Sequence, residues 1–325
     1  MTAGEVAAVA ASHVDGTNAY CVVIPALNAE NFIEEALASV ARQTVPAAEV
    51  IVVDDGSSDR TAIRAAAAGA HVVRLTASHG PSVARNRGVR ASSAPLVAFL
   101  DADDQWLPDH AERLLSALES PGVVFAGSLA ERYGSEHGVV PTPLPDGVAL
   151  DLCDRLIVDN PIIQSSVMLK RATFELAGGY DESLRLSEDF DLWSRVAPLG
   201  RYMLVGRPTV RRRMHPDQVS QTTTEALVRA GWQVRRRVVR ARLAAASPAE
   251  RASVIGLIRD AAKLDLAFAV WTGRRWILSL VREEIRITQL DCGLDGELGS
   301  LAEQRADDIR CLARRVLKTA LGRVS

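Results

Sequence analysis

The stretch Leu96-Val97-Ala98-Phe99-Leu100-Asp101-Ala102-Asp103-Asp104 decides how this chain is read. Its first five residues are apolar without a break, the pattern of a strand buried on both faces of a parallel sheet. Three carboxylates then crowd the point where the strand should end. Like charges this close repel, and desolvation sharpens the repulsion. A divalent cation relieves such a cluster, and carboxylate oxygens suit Mg²⁺ or Mn²⁺. In an open α/β sheet, ligands bind beyond the carboxyl ends of the strands. The stretch therefore points to a metal that neutralises a phosphate-bearing ligand. The alternative is a solvated acidic turn that caps the next helix.

The same alternation extends outward on both sides. Upstream, Tyr20 to Ile24 reads as a strand stopped by Pro25. Asn28 can cap a helix that carries Phe32, Ile33, Ala36, Leu37 and Val40 at helical spacing. Val50 to Val53 is a second strand, ending in Asp54-Asp55-Gly56-Ser57, with Ser58 or Asp59 as the next cap. His71 to Leu75 is a third strand, and the loop Thr76 to Pro81 leads into a helix holding Val83, Arg85, Asn86 and Arg87. Downstream, Pro108 suits the first turn of a helix, and Val123 to Ala126 is a fifth strand. Glu131 to Asp146 has five Gly or Pro in sixteen positions and reads as an irregular excursion. Gln164 to Leu169 reads as a strand, Glu188 to Val196 as a helix and Arg207 to Met214 as a last strand. From Glu225 the pattern is helical, broken at Ser247-Pro248 and near Cys292 to Gly299. Strands alternating with helices predict an α/β fold with a mostly parallel sheet covered on both faces.

The chain has 325 residues, 48% hydrophobic and 24% charged, enough for a sizeable core and unlike a disordered chain. A net charge of -2 argues against a nucleic-acid partner. The charge is uneven: residues 1–224 sum to -9 and residues 225–325 to +7. Cys21, Cys153, Cys292 and Cys311 lie far apart, with no Cys-x-x-Cys pair for zinc, and this sparse usage fits a reducing compartment. No secretory pattern opens the chain, and residues 1–19 read as a loose tail. The most apolar stretch, Leu264 to Val281, is interrupted by Asp265, Gly273, Arg274 and Arg275, so no spanning helix is expected. Together these features predict a cytoplasmic protein.

Seven pieces carry chemistry. They are Ile24-Pro25-Ala26-Leu27-Asn28, Val53-Asp54-Asp55-Gly56-Ser57-Ser58-Asp59, His79-Gly80-Pro81-Ser82-Val83-Ala84-Arg85-Asn86-Arg87-Gly88, Leu100-Asp101-Ala102-Asp103-Asp104, Gly178-Gly179-Tyr180-Asp181, Ser187-Glu188-Asp189-Phe190-Asp191-Leu192-Trp193 and Arg213-Met214-His215-Pro216. In this order and spacing they resemble the family 2 glycosyltransferases of the GT-A fold, over roughly residues 20–220.

The resemblance implies an inverting, metal-dependent transferase that uses a nucleotide-diphospho-sugar, expected to be UDP-linked, in polysaccharide, cell-wall or glycolipid synthesis. It implies a GT-A domain over 20–224 and a separate helical, basic region over 225–325. It places Pro25, Ala26, Asn28, Glu30, Asp55, Arg85, Asp101 and Ala102 at the nucleotide sugar. Asp55 would accept from a base N–H, and the Arg85 fork suits phosphate or a base carbonyl. Asp101 and Asp103 resemble the Asp-x-Asp pair, and with His215 they would meet the Mn²⁺ or Mg²⁺. Gly179 and Glu188 would lie at the loop between donor and acceptor, a glycan or lipid-linked hydroxyl. Asp54 reads as structural. Ala26 stands where many relatives carry a hydroxyl, which loosens the expectation of uracil.

The base must be chosen among Glu188, Asp189 and Asp191. On a helix, Glu188, Asp191, Leu192 and Arg195 share a side where charges can pair, and Asp189 points away from it. The resemblance also assigns the base to Asp189. Two rival readings remain. A phosphatase built on the strand-end Asp-x-Asp would want Thr or Val where Asp104 stands. A degenerate, non-enzymatic binding module would have lost acidic motif residues that are all present here. In the basic region, Arg229, Arg236, Arg237 and Arg240 share one helical face beside Val228, Trp232, Val239 and Leu243. That face suits an anionic surface, hence peripheral membrane contact, or else an ordinary packed helix with a solvated side.

Overall fold

Among the described residues the apolar runs pair into one ten-stranded sheet. The structure is a computed structural model, and it describes residues 18–140, 144–215, 225–271, 275–294, 298, 301 and 303. The expected loose tail lies, but for its last two residues, outside the described residues. In chain order the elements are β1 (Tyr20–Ala26), α1 (Ile33–Ala41), β2 (Glu49–Asp54), α2 (Thr61–Ala67), β3 (His71–Arg74), α3 (Pro81–Arg90), β4 (Leu96–Phe99), β5 (Gln105–Trp106), α4 (His110–Leu118), β6 (Val123–Gly134), β7 (Gly138–Val139), β8 (Ala149–Leu150), α5 (Arg155–Val158), β9 (Met168–Lys170), α6 (Arg171–Leu176), α7 (Glu188–Val196), β10 (Arg201–Met214), α8 (Glu225–Ala245), α9 (Pro248–Trp271) and α10 (Arg275–Asp291).

The sheet runs β3-β2-β1-β4-β9-β6-β10-β5. The first four strands are parallel, β9 is antiparallel to both neighbours, and β6 and β10 run parallel. Side chains alternate across β2: Val52 belongs to the core cluster that also holds Ile33, Leu37, Leu114 and Leu118, whereas Ile51 and Val53 belong to the one that holds Ala84 of α3. Helices therefore cover both faces, as a continuous apolar strand requires. Close packing of α3 needs Gly88, because a Cβ there would meet Val23 Cγ1 at 2.3 Å.

Several boundaries differ from the sequence reading. β1 runs through Pro25, which pairs in register with Val53. Asn28 is not a helix cap; it sits at φ 50 and α1 starts at Ile33. Pro108 precedes the helix that begins at His110. β6 continues to Gly134, into the segment expected to be irregular, because its polar half pairs with β10 as far as Met214. β10 begins at Arg201, its register shifted around Pro208, where a missing N–H forces an irregularity. Gln164–Ser166 is a 3₁₀ turn, and only Met168–Lys170 is strand.

The chain divides into two compact units, Met1–Leu152 with Pro161–Thr222, and Cys153–Asn160 with Thr223–Ser325. The sequence reading had placed 153–160 in the first. The described part of the second unit is helical. It buries Trp232, Val238, Val239 and Leu243 of α8, Val254, Ile258 and Leu266 of α9, and Ile277, Leu280 and Ile285 of α10. The segment 153–160 is held in this unit by Arg242 on Asp154 and by Arg235 on the Val158 carbonyl. Three of the four arginines on the basic face of α8 pair within the unit. Arg229 pairs with Glu225, Glu283 and Glu284, Arg236 with Glu284 and Asp291, and Arg240 with Asp291. The expected anionic surface is thus supplied for these three arginines by acids some fifty residues later in the chain. Among the described residues no helix is long and apolar enough to cross a membrane.

Candidate active site

The first, sheet-containing unit gathers its polar residues at the carboxyl ends of β1, β2 and β4. Asp54, fully buried, accepts from the Ser57 N–H and pairs with Arg74, so it closes the turn after β2. Asp55 accepts from the Ser78 hydroxyl and from the backbone N–H groups of His79 and Gly80, each at 2.8 Å. It thereby fixes the loop leading into α3. Asn28 accepts from the Ser58 N–H and hydroxyl, and Glu30 accepts from the Arg60 N–H while its own N–H donates to Asp59. These two side chains tie the loops after β1 and β2 together. Pro25 and Ala26 end β1 beside them, with Ala26 buried.

Arg85 is the centre of the site. It is 4% exposed and bridges Asp101 and Glu188, each at 2.8 Å. The Tyr180 ring lies 5.3 Å from its guanidinium carbon. Burial opposes the cation, and the two carboxylates more than offset that, so its pKa rises. The bridge links the end of β4 to the start of α7, and its longer arm, from Arg85 to Glu188, spans 103 positions in sequence.

At the start of α7 the three acids have three settings. Glu188 faces Arg85. Asp191 is buried and forms a two-pronged contact with Arg195, at 3.0 and 2.6 Å, and Arg195 also donates to the Ala177 carbonyl. Asp189 is half-buried and accepts from the Phe190 N–H at 2.7 Å. Burial, and then the neighbouring Glu188 charge, push its carboxyl up to about 6. Ser187 before it adopts φ 58, a left-handed backbone that a non-glycine residue takes only where its surroundings enforce it.

The loop at Gly179 is fixed from α3. Asn86 donates to the Tyr180 carbonyl and Glu182, and accepts from the Tyr180 N–H. Gly179 has φ 69, and a Cβ there would come within 2.8 Å of Asn86 Oδ1. The sequence reading had not assigned Asn86, although it sits beside Arg85 on the same turn.

At the acidic stretch, Asp103 Oδ2 lies 3.0 Å from His215 Nε2, and Asp101 is 34% exposed. Ala102 between them is buried. Among the described residues no three His, Cys, Asp or Glu side chains converge on one point. An oxygen and a nitrogen donor side by side still fit Mg²⁺ or Mn²⁺, which commonly take one or two protein ligands and complete the shell with substrate phosphate and water. Asp104 is buried, and its carboxyl is pushed well above the usual range by desolvation and then by Asp103 and Asp101.

The sequence profile described as Glycosyl transferase family 2 matches residues 21–166. The matched stretch runs from β1 past β8 and contains Asp101–Asp104. The succinoglycan biosynthesis protein ExoU of Rhizobium meliloti is 34% identical over 202 residues, 57% of this chain and 59% of that protein. The chain therefore spans less than two-thirds of that relative. Among solved structures, TarS 1-349 of S. aureus in complex with UDP-GlcNAc superposes with TM-score 0.69 at 16% identity, covering 93% of this chain and 92% of that one. A mannosyltransferase from Pyrobaculum calidifontis, in complex with GDP-Man and Mn²⁺, gives TM-score 0.50 at 19% identity and covers 92% of each chain. The fold is of the GT-A type, followed by a helical region.

Proposed function

We propose that this protein transfers a sugar from a nucleoside-diphosphate sugar to an acceptor hydroxyl, with inversion at the anomeric carbon. The observation that carries the reading is Asp189, a half-buried carboxylate raised to about 6 at the start of α7, beside the Glu188–Arg85–Asp101 bridge. A carboxyl tuned toward neutrality is the kind of group that serves as a general base. In the proposed step the acceptor oxygen bonds to the anomeric carbon as the bond from that carbon to the phosphate oxygen breaks. Asp189 takes the acceptor proton, and the nucleoside diphosphate leaves. Asp191 is committed to Arg195 and serves α7 rather than the reaction.

Asp55, Pro25 and Ala26 frame the nucleoside end, with Asn28 and Glu30 bracing the loops around them. Arg85 holds Asp101 and Glu188 in place through its two 2.8 Å ion pairs. Asp101, Asp103 and His215 are the residues that would hold a divalent cation, which when bound supplies charge neutralisation for the diphosphate. A UDP-linked donor is supported by the likeness to TarS, and the mannosyltransferase with GDP-Man and Mn²⁺ makes a guanosine donor the first rival. The identity with a protein named for succinoglycan biosynthesis supports a growing polysaccharide, free or lipid-linked, as acceptor.

The test is release of nucleoside diphosphate from a panel of UDP-, GDP- and dTDP-sugars, with and without Mn²⁺ or Mg²⁺. Turnover of one donor in a metal-dependent manner is expected. No turnover of any donor, with the protein folded and acceptor glycans supplied, would count against the reading.

A further inference from the structure

Asp104 lies in the acidic stretch but has no place in the proposed chemistry. It is 4% exposed, and both of its oxygens are engaged. Oδ2 accepts from the Ser165 hydroxyl at 2.6 Å, and Oδ1 accepts from the Arg213 N–H at 2.9 Å. These partners come from two separate segments, 61 and 109 residues away. Ser165 is itself 1% exposed, and its hydroxyl oxygen accepts from the Asp101 N–H at 3.2 Å. Its carbonyl accepts from the Trp106 indole at 2.7 Å. Arg213 adds a second tie, from Nε to the Asp103 carbonyl at 3.1 Å. Two residues beyond Arg213 stands His215, against Asp103.

We propose that Asp104 and Ser165 are positioning residues that set the Asp101–Asp103 turn against His215. The Asp-Ala-Asp turn is gripped at both ends: its first N–H by Ser165 and its last carbonyl by Arg213. Asp104 joins those two grips to each other. A buried carboxylate beside two other acids is costly, so a plain turn would favour Ser or Asn at this position. What the carboxylate adds is two acceptors on one rigid group, aimed at a hydroxyl and a backbone N–H that no local residue could reach together. Groups that orient ligating side chains cost 10–100-fold in metal affinity or activity when removed. This inference rests on the proposed role of Asp103 and His215 at the diphosphate.

The test uses the full chain and the donor found in the panel above. Asp104→Ala and Ser165→Ala should each lower kcat by about 10–100-fold, with KM for the acceptor unchanged. Both should weaken calorimetric binding of the matching nucleoside diphosphate in Mn²⁺ by a similar factor, and leave its binding in chelator unchanged. Asp104→Asn keeps an acceptor for the Arg213 N–H and can donate to Ser165, so it should recover most of the activity. In Asp103→Ala, adding Asp104→Ala should cost little more, because Asp104 acts through Asp103. If Asp103→Ala is inactive while Asp104→Asn, Asp104→Ala and Ser165→Ala bind and turn over like the parent, the positioning role is wrong and the metal reading stands. An Ala variant that does not fold leaves Asp104→Asn and Ser165→Ala to decide. Additive losses in the double variant, or equal losses with and without Mn²⁺, would also overturn it. If Asp103→Ala itself is fully active, the reading of the diphosphate site falls and takes this inference with it.

Discussion

Asp189 and Arg85 carry the sharpest expectations at the level of single residues. Asp189→Asn should lower kcat by roughly 10²–10⁴-fold with donor binding little changed, as loss of a general base does. In the parent enzyme kcat should rise with pH and level off above about 6, where Asp189 is ionised. Stability should move the other way. The folded protein holds this proton up to about 6 and the unfolded chain only to near the ordinary aspartate value of 3.8, so stability falls as pH rises between them. Asp189→Asn should therefore melt higher than the parent at pH 7.5, and the gap should close by pH 4; scanning fluorimetry across that window checks it. Arg85→Met strands two carboxylates, and chemical denaturation should show a loss of about 3 kcal/mol, the low end for breaking a buried pair, since Asp101 is a third exposed. The acids of the site were legible in the sequence because charge at a strand end is conspicuous. Ser165 and Asn86 were not, because their roles rest on partners that only the fold brings near.

At the level of elements, α3 matters most, since it carries Arg85 toward the acids and Asn86 toward the Gly179 loop. Its seat on the sheet depends on Gly88. Gly88→Ala should cost about 1–3 kcal/mol by overpacking against Val23, and should reduce activity further than that loss explains, because the helix must lift. Denaturation curves and kcat measured on the same preparation separate the two effects. The strands β1 to β4 could be read because each is a short apolar run closed by turn chemistry. β6 and β10 outran their sequence signal: β6 continues past Ala126 into a more polar half, β10 begins at Arg201, ahead of Gly206 and Pro208, and both stay in the sheet by pairing with each other. The sequence reads Gln164 to Leu169 as one strand, but only its apolar end pairs in the sheet; the polar Gln164–Ser166 turns instead, with Ser165 tied to Asp104 and Asp101.

For the whole molecule, the charge imbalance between the two parts of the chain was visible from composition, but its destination was not. Arg229, Arg236 and Arg240 meet Glu283, Glu284 and Asp291 within the helical unit, so changing these three to Gln should leave sedimentation with anionic vesicles at low salt unaltered. Salt-dependent sedimentation would show a basic surface left over after that pairing. The helical unit also takes residues 153–160 from the middle of the chain, and there Leu156 and Ile157 are buried, with α8 and α9 packed against α5. On the ribosome these two side chains emerge about a hundred residues before α9 is complete. For that interval a newly made chain carries an apolar segment with no cover, a natural landing place for a chaperone or a protease. The same timing governs shortened versions of the protein: one stopped at residue 224 would carry that exposure permanently.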